Sequence, residues 1–369
     1  MSLLFSSSAY NTLASPVSSP ALAIRSPFIH LLSAMFTSNP YMTCQPNFIE
    51  QLLPLYKGSL SLSDQRILSL FQLFESYRHI SVASVLSAWS SGLGRSSRPF
   101  EALTSLEPTR MLATAIAFPL RRSLCGVQPV EENDEGQGLY DPCFVLALFG
   151  ATLSTDLTGL DWVEILRTNV LGVAVMALSS RDAEMRTLGG FVLTRTVKYL
   201  EVGSSRFART HADNQSVAFQ EKPQLAYILR LLRYSIPAPT SDTQPRLPVL
   251  ISTFLAHVLR TLASPSNPLY PAASRFLLQR HKFDAGDVPM LFGMLYASGE
   301  GHKRDRNWIV RFIRDASRSE AVSVVLLLQR VVILIPRIGV CLNDERPLSF
   351  CRRCIPRRSM LRSVDWSSR

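Results

Sequence analysis

Residues 140–201 constrain this chain more than any other stretch. Three apolar blocks follow one another there, and the first two open on a helix-start signal. The first, "YDPCFVLALFGATLS", begins with Asp141 followed by Pro142. Asp at an N-cap accepts an orphan backbone N–H, and Pro at the first helical position forgoes a donor that would go unused. The second, "LDWVEILRTNVLGVAVMALSS", opens with Asp161 and has Glu164 three residues on, a capping-box arrangement with Asp in the Ser/Thr role. The third, "DAEMRTLGGFVLTRTVKYLE", puts Met185, Leu188 and Val192 on one apolar side, flanked by Phe191 and Leu193 and continuing to Leu200. Its "LGGF" at 188–191 is a helix interruption or a close-packing point, and not a cofactor loop.

The same helical spacing extends both ways. "FIEQLLPLYKG" and "SLSDQRILSLFQLFESYRHI" carry apolar residues three and four apart. "EPTRMLATAIAFPLRR" lies between a Gly/Ser/Arg/Pro break at 91–106 and an acidic loop at 131–138. Beyond a polar loop at 203–222 come "PQLAYILRLLRYS" and "RLPVLISTFLAHVLRTLA", separated by a Pro/Thr/Ser linker at 236–246. Almost no segment alternates with the period of two that a half-buried strand requires. The chain is therefore expected to be all-α. Helix pairs recur at roughly forty residues, which fits an irregular α-solenoid of HEAT/armadillo-like helix pairs, with an ordinary globular helical domain as the alternative. Residues 1–40 are rich in Ser and Pro and are expected to be flexible, apart from an apolar patch at Phe28–Phe36.

With 47% hydrophobic residues the chain can bury a core, and its formal net charge of +11 favours an acidic partner such as nucleic acid. Six cysteines in 369 residues are too sparse for a disulfide framework and suit a reducing compartment. The N-terminus lacks the basic region and continuous apolar stretch of a signal peptide. "AVSVVLLLQRVVILIPRIGV" at 321–340 imitates a membrane span, but Gln329 and Arg330 sit at its centre. A mid-bilayer arginine costs about 2.5–3.5 kcal/mol on insertion scales, so a buried helix or a divergent tail is the better reading and no membrane is expected.

Little in the chain can do chemistry. Cys341, Cys351 and Cys354 would give a zinc ion three ligands and no fourth. The six histidines are scattered, and His257 reads as a partly buried residue of an apolar helix. There is no G-x-S-x-G elbow, and "SGLGRSS" lacks the phosphate-loop lysine. No catalytic residue, cofactor, metal or small-molecule substrate is expected. The one suggestive surface is "GHKRDRNWIVRFIRDASRSE". Arg304, Arg311 and Arg318 recur there every seven residues, with Arg314 beside them and Lys303 before them. Ile309, Phe312 and Ala316 lie opposite. Such a face either grips phosphates or an acidic partner, or is a solvated exterior that Asp305 and Asp315 partly neutralise. Trp308 is a core anchor or a base-stacking residue.

"NPLYPAASRFLLQRHKFDAGDVPMLFGMLYAS", followed by "RDRNWIVRFIRD", resembles the C-terminal region of the nucleolar pre-ribosomal-associated protein 1 family. The blocks "YDPCFVLALF", "LGVAVMALSSRDAEMRTLGGFVLTR", "LLPLYKGSLSLSDQRILSLFQLFE" and "EPTRMLATAIAFPLRR" extend the resemblance over about residues 48–318. It implies a helical, non-enzymatic nucleolar scaffold in early assembly of the large ribosomal subunit precursor. Its implied partners are pre-ribosomal RNA, small nucleolar ribonucleoproteins and assembly factors including an RNA helicase. A helical-repeat protein–protein adaptor without direct RNA contact is the alternative. The resulting division is a flexible N-terminus at 1–40, a helical-repeat domain at 48–319 and a divergent basic tail at 320–369. The tail is attributable to a shifted frame or an unspliced intron.

Overall fold

Asp141 and Pro142 do start a helix, in a chain that the computed structural model shows to be helical. The structure describes residues 2–14, 21–89, 98–128, 138–210, 222–235 and 245–262, together with Ser266, Tyr270, Pro271, Ser274, Asn307 and Phe312. All of these belong to one unit, Met1–Val322. In chain order the helices begin with α1 (Ser2–Phe5), α2 (Ser8–Ala14), α3 (Ala21–Ser38), α4 (Pro40–Thr43) and α5 (Asn47–Leu52). A 3₁₀ turn at Leu53–Leu55 leads to α6 (Leu62–Arg78), α7 (Val82–Ser87), α8 (Pro99–Thr104) and α9 (Pro108–Ile116). Then follow α10 (Pro142–Thr152), α11 (Gly159–Arg167), α12 (Val170–Ala177), α13 (Ala183–Thr210), α14 (Lys222–Ser235) and α15 (Val249–Leu262). Among the described residues there is no strand, only an isolated antiparallel bridge between Ser59 and Tyr140.

Two helices are apolar on every side and occupy the centre, as such helices must in water. Every residue of α12, "VLGVAVMA", is buried. Helices α9, α10, α11, α13 and α15 pack around it. Helix α10 is nearly as enclosed and also packs on α7, α8 and α13. Neighbours in sequence pack pairwise as well: α2 on α3, α12 on α13, and α13 on α14.

The N-terminus differs from its expected flexibility. Within residues 1–40, α3 runs from Ala21 to Ser38 and packs on α6. Phe28, Ile29, Leu32 and Phe36 are buried, and Phe36 meets Phe74 with ring centroids 5.7 Å apart. Serine and proline content pointed to a loop, but the apolar patch has a partner to bury against, and tertiary packing outweighs local propensity. The second apolar block is also re-registered. Helix α11 starts three residues earlier than expected, with Thr158 as N-cap. A capping box joins Thr158 to Asp161 at the third helical position, in place of one joining Asp161 to Glu164. The "LGGF" stretch does not interrupt α13, which runs straight through it. It is a close-packing point: a Cβ built on Gly189 would lie 2.8 Å from the Ala177 Cβ and 3.1 Å from the Ala174 carbonyl oxygen of α12.

Polar groups in this core are held in a small set of bonds. Asp64, fully buried, accepts the Lys57 N–H at 3.1 Å, the Ser59 N–H at 2.9 Å, the Ser59 hydroxyl and the Arg25 guanidinium. Arg122 and Asp141 form a second buried ion pair. Arg122 Nη2 donates to Asp141 Oδ2 at 2.8 Å and its Nε to Oδ1 at 3.3 Å. Arg122 Nη1 also donates to the carbonyls of Ser123 and Gly126, while Asp141 Oδ1 accepts the Cys143 N–H at 3.0 Å and so caps α10. The two loops are stitched together by Asp141 N–H donating to the Gly58 carbonyl at 2.9 Å and Leu60 N–H to the Leu139 carbonyl at 3.0 Å. Gly58 has φ of +67°, and a Cβ there would lie 2.6 Å from Phe144, so both backbone shape and space select glycine.

Two outcomes follow for stability. Asp141→Asn keeps a capping oxygen but strands the buried Arg122 charge, and is expected to cost about 3–5 kcal/mol in urea denaturation. The double variant Arg122→Met with Asp141→Asn recovers part of that loss, and a single variant as stable as the parent contradicts the assignment. Gly189→Ala, whose methyl meets backbone as well as side chain, is expected to lose about 1–3 kcal/mol where an unhindered helical site would gain.

Candidate functional site

The basic face expected from the sequence, Lys303, Arg304, Arg311, Arg314 and Arg318, lies outside the described residues, as do Trp308, Cys341, Cys351 and Cys354. Most of the proline-punctuated 267–296 stretch and the apolar 321–340 segment also lie outside them. One residue of the arginine segment's apolar side is described. Phe312, placed opposite the arginines by its spacing, is helical and buried. It packs edge-on against Phe254 and His257 of α15, with ring centroids 5.9 and 6.2 Å apart. His257 is thus part of an aromatic contact in the core. Among the described residues no group of histidine, cysteine and carboxylate side chains could hold a metal ion. No described helix is long and apolar enough to cross a membrane.

The described surface gathers positive charge at a place the sequence did not mark. Helix α12 ends at Ala177, and its chain turns through Ser179 and Ser180 into α13. Carbonyls at a helix C-terminus have no intrahelical donor and carry the negative end of the helix dipole. The last α12 carbonyls, of Val175, Met176 and Ala177, accept the N–H groups of Leu178, Ser179 and Ser180, and arginines supply donors to the carbonyls of the turn beyond. Arg246, from the segment leading into α15, donates its Nε to the Ser179 carbonyl at 2.8 Å, across 67 residues of sequence. Arg186, on the first turns of α13, donates Nη1 to the carbonyls of Ser180 and Arg181, both at 3.0 Å. Arg181 is exposed, and its backbone N–H donates to the Leu120 carbonyl at 2.7 Å, which brings the loop bearing the exposed Arg121 alongside. Leu247 N–H donates to the Leu178 carbonyl at 3.0 Å and fixes the Arg246 segment against this turn. Desolvation lowers the Arg246 pKa, and the positive charges of Arg181 and Arg186 lower it further. Asp182, next in sequence, accepts the Leu124 and Met185 N–H groups at 2.9 and 3.1 Å and so starts α13. Three guanidiniums from two distant segments therefore share one patch. A periodicity search could not find it, because Arg246 reaches the patch only through the fold.

Residues 171–335 match the model of the nucleolar pre-ribosomal-associated protein 1 family. The chain is 27% identical over 327 residues to the protein of that name from Mus musculus, and 28% identical over 323 residues to the one from Homo sapiens. The chain is similar to members of that family. Each alignment covers 82% of this chain and 13% of the relative, so the chain spans about an eighth of the length of the curated relatives it matches. The family match runs to residue 335, beyond the Ser319 at which the resemblance was expected to fade. No solved structure matches. The arginine turn, from Ser179 through Arg246, lies inside the matched span.

Three cysteines are described, and only Cys125 is exposed. Burial, then the Glu184 carboxylate, raises the pKa of Cys125, whereas burial and then Asp141 hold Cys143 well above the usual thiol value. Since the thiolate is the nucleophile, alkylation of the folded protein should follow access and rise with pH. Iodoacetamide at pH 8 is expected to label Cys125 ahead of Cys44 and Cys143, read by peptide mass spectrometry. Equal labelling of Cys143 contradicts the buried cap of α10.

Proposed function

We propose that this chain is a non-enzymatic scaffold acting in the nucleolus, in early assembly of the large ribosomal subunit precursor. The observation that carries the reading is the similarity, over 82% of the chain, to two proteins named for pre-ribosomal association. Its mechanism is binding alone. Its partners are pre-ribosomal RNA, small nucleolar ribonucleoproteins and assembly factors, an RNA helicase among them. The net charge of +11 supports direct attraction to a polyanion. The face formed by Lys303, Arg304, Arg311, Arg314 and Arg318 is a proposed contact. The burial of Phe312 against α15 supports it, because the opposite side of that segment is thereby committed to the core. We place the helical-repeat domain at 48–319 as an irregular α-solenoid of HEAT/armadillo-like pairs, a reading supported by the pairwise packing of sequence neighbours. The family match to residue 335 shortens the divergent basic tail expected at 320–369 to the residues beyond it.

Purification of the tagged chain from cells, with identification of RNA and protein, tests the proposal. Enrichment of large-subunit precursor RNA together with assembly factors is expected. Recovery of factors with no RNA crosslinked to the chain selects the adaptor reading instead, and recovery of neither rejects both.

A further inference from the structure

We infer that Arg181, Arg186 and Arg246 form a phosphate-binding site for the backbone of single-stranded RNA, at the turn that follows α12. The inference rests on the RNA-binding reading above and adds to it a place. Bonding the carbonyls of the turn after α12 explains only part of the arrangement. A single cation satisfies a helix C-terminus, and the dipole's influence fades within a turn. Here Arg246 and Arg186 bond the turn carbonyls of Ser179, Ser180 and Arg181, beyond the end of α12, and Arg181 is added although its side chain makes no hydrogen bond or ion pair among the described residues. Crowded guanidiniums repel one another, and that repulsion turns into attraction when an anion lies between them. Arginine is suited to the task because its planar fork meets two phosphate oxygens at once.

The site is held ready. The Nε bond to Ser179 and the Leu247–Leu178 backbone bond fix the Arg246 segment, and Arg186 is fixed by two carbonyls. A ligand therefore orders few side chains on arrival. Three cations from two distant segments, with exposed Arg121 on the adjoining loop, suit a polymer with successive charges better than a single small anion. The overall charge of +11 steers such a polymer toward the surface.

The test is fluorescence anisotropy of the full chain with labelled oligouridine and, separately, labelled polyglutamate, over a series of salt concentrations. Arg181→Glu combined with Arg246→Glu is expected to weaken oligouridine binding about tenfold or more at low salt. The slope of log affinity against log salt should shrink by about 0.7 for each phosphate that the variant no longer neutralises. Arg246→Lys keeps the charge and removes the fork, so it should retain the slope with a smaller drop in affinity. Urea midpoints establish that each variant is folded, and the milder pair Arg181→Gln with Arg246→Gln serves if charge reversal unfolds the chain. If the parent binds oligouridine and the folded double variant binds it equally with the same slope, this site is wrong while RNA binding stands. If the parent does not bind oligouridine at all, both fail. If the variant binds oligouridine like the parent but no longer binds polyglutamate, the patch takes an acidic polypeptide and the RNA assignment is overturned.

Discussion

The bidentate contact between Arg122 and Asp141 is the bond on which the arrangement of this core depends. Asp141 compensates a guanidinium that water does not reach and also caps the first turn of α10. Helix α10 has almost no polar face of its own, so its start is fixed from outside, by this pair and by the backbone bond from Asp141 to Gly58. A buried ion pair is weak evidence for net stability, since desolvation offsets much of its attraction. Its value here is positional. It ties the loop after α9 to the start of α10, and that start to the loop before α6 that Asp64 organises. Tyr56, Trp89 and Phe144 then close over the junction edge to face.

The same logic carries into the second half of the chain. Leu120, two residues before Arg122, accepts the backbone N–H of Arg181, and the neighbouring loop gives Leu124 N–H to Asp182, the residue that starts α13. Placement thus passes from the buried pair to the turn between α12 and α13 through backbone bonds. The arginine patch is a surface feature on rigid support, and its geometry is set by residues buried beneath it.

The sequence revealed the elements whose causes are local. Asp141 next to Pro142 marked the start of α10 because a cap is a matter of adjacent residues, and the helical class followed from apolar spacing alone. The start of α11 was misplaced because Asp161 can serve as N-cap or as the third residue of a box. Choosing between them requires the extended backbone of Thr158, which no residue type announces. Helix α3 was missed because its stability comes from Phe74 and its neighbours, more than thirty residues away in the chain. Of the candidate site, Arg304, Arg311 and Arg318 showed as a period of seven. The cluster of Arg181, Arg186 and Arg246 showed no period, because one member comes from another segment.

The complete enclosure of α12 has a consequence for how the chain can be divided. The family match begins at Leu171, one residue into that helix. Three of the helices that cover α12, namely α9, α10 and α11, lie before that point. A recombinant piece trimmed to 171–335 would present an apolar helix with one side stripped of its cover, inviting self-association. The similarity boundary is thus not a folding boundary, and a fragment meant to behave in solution has to reach back through α9, to Pro108 or earlier.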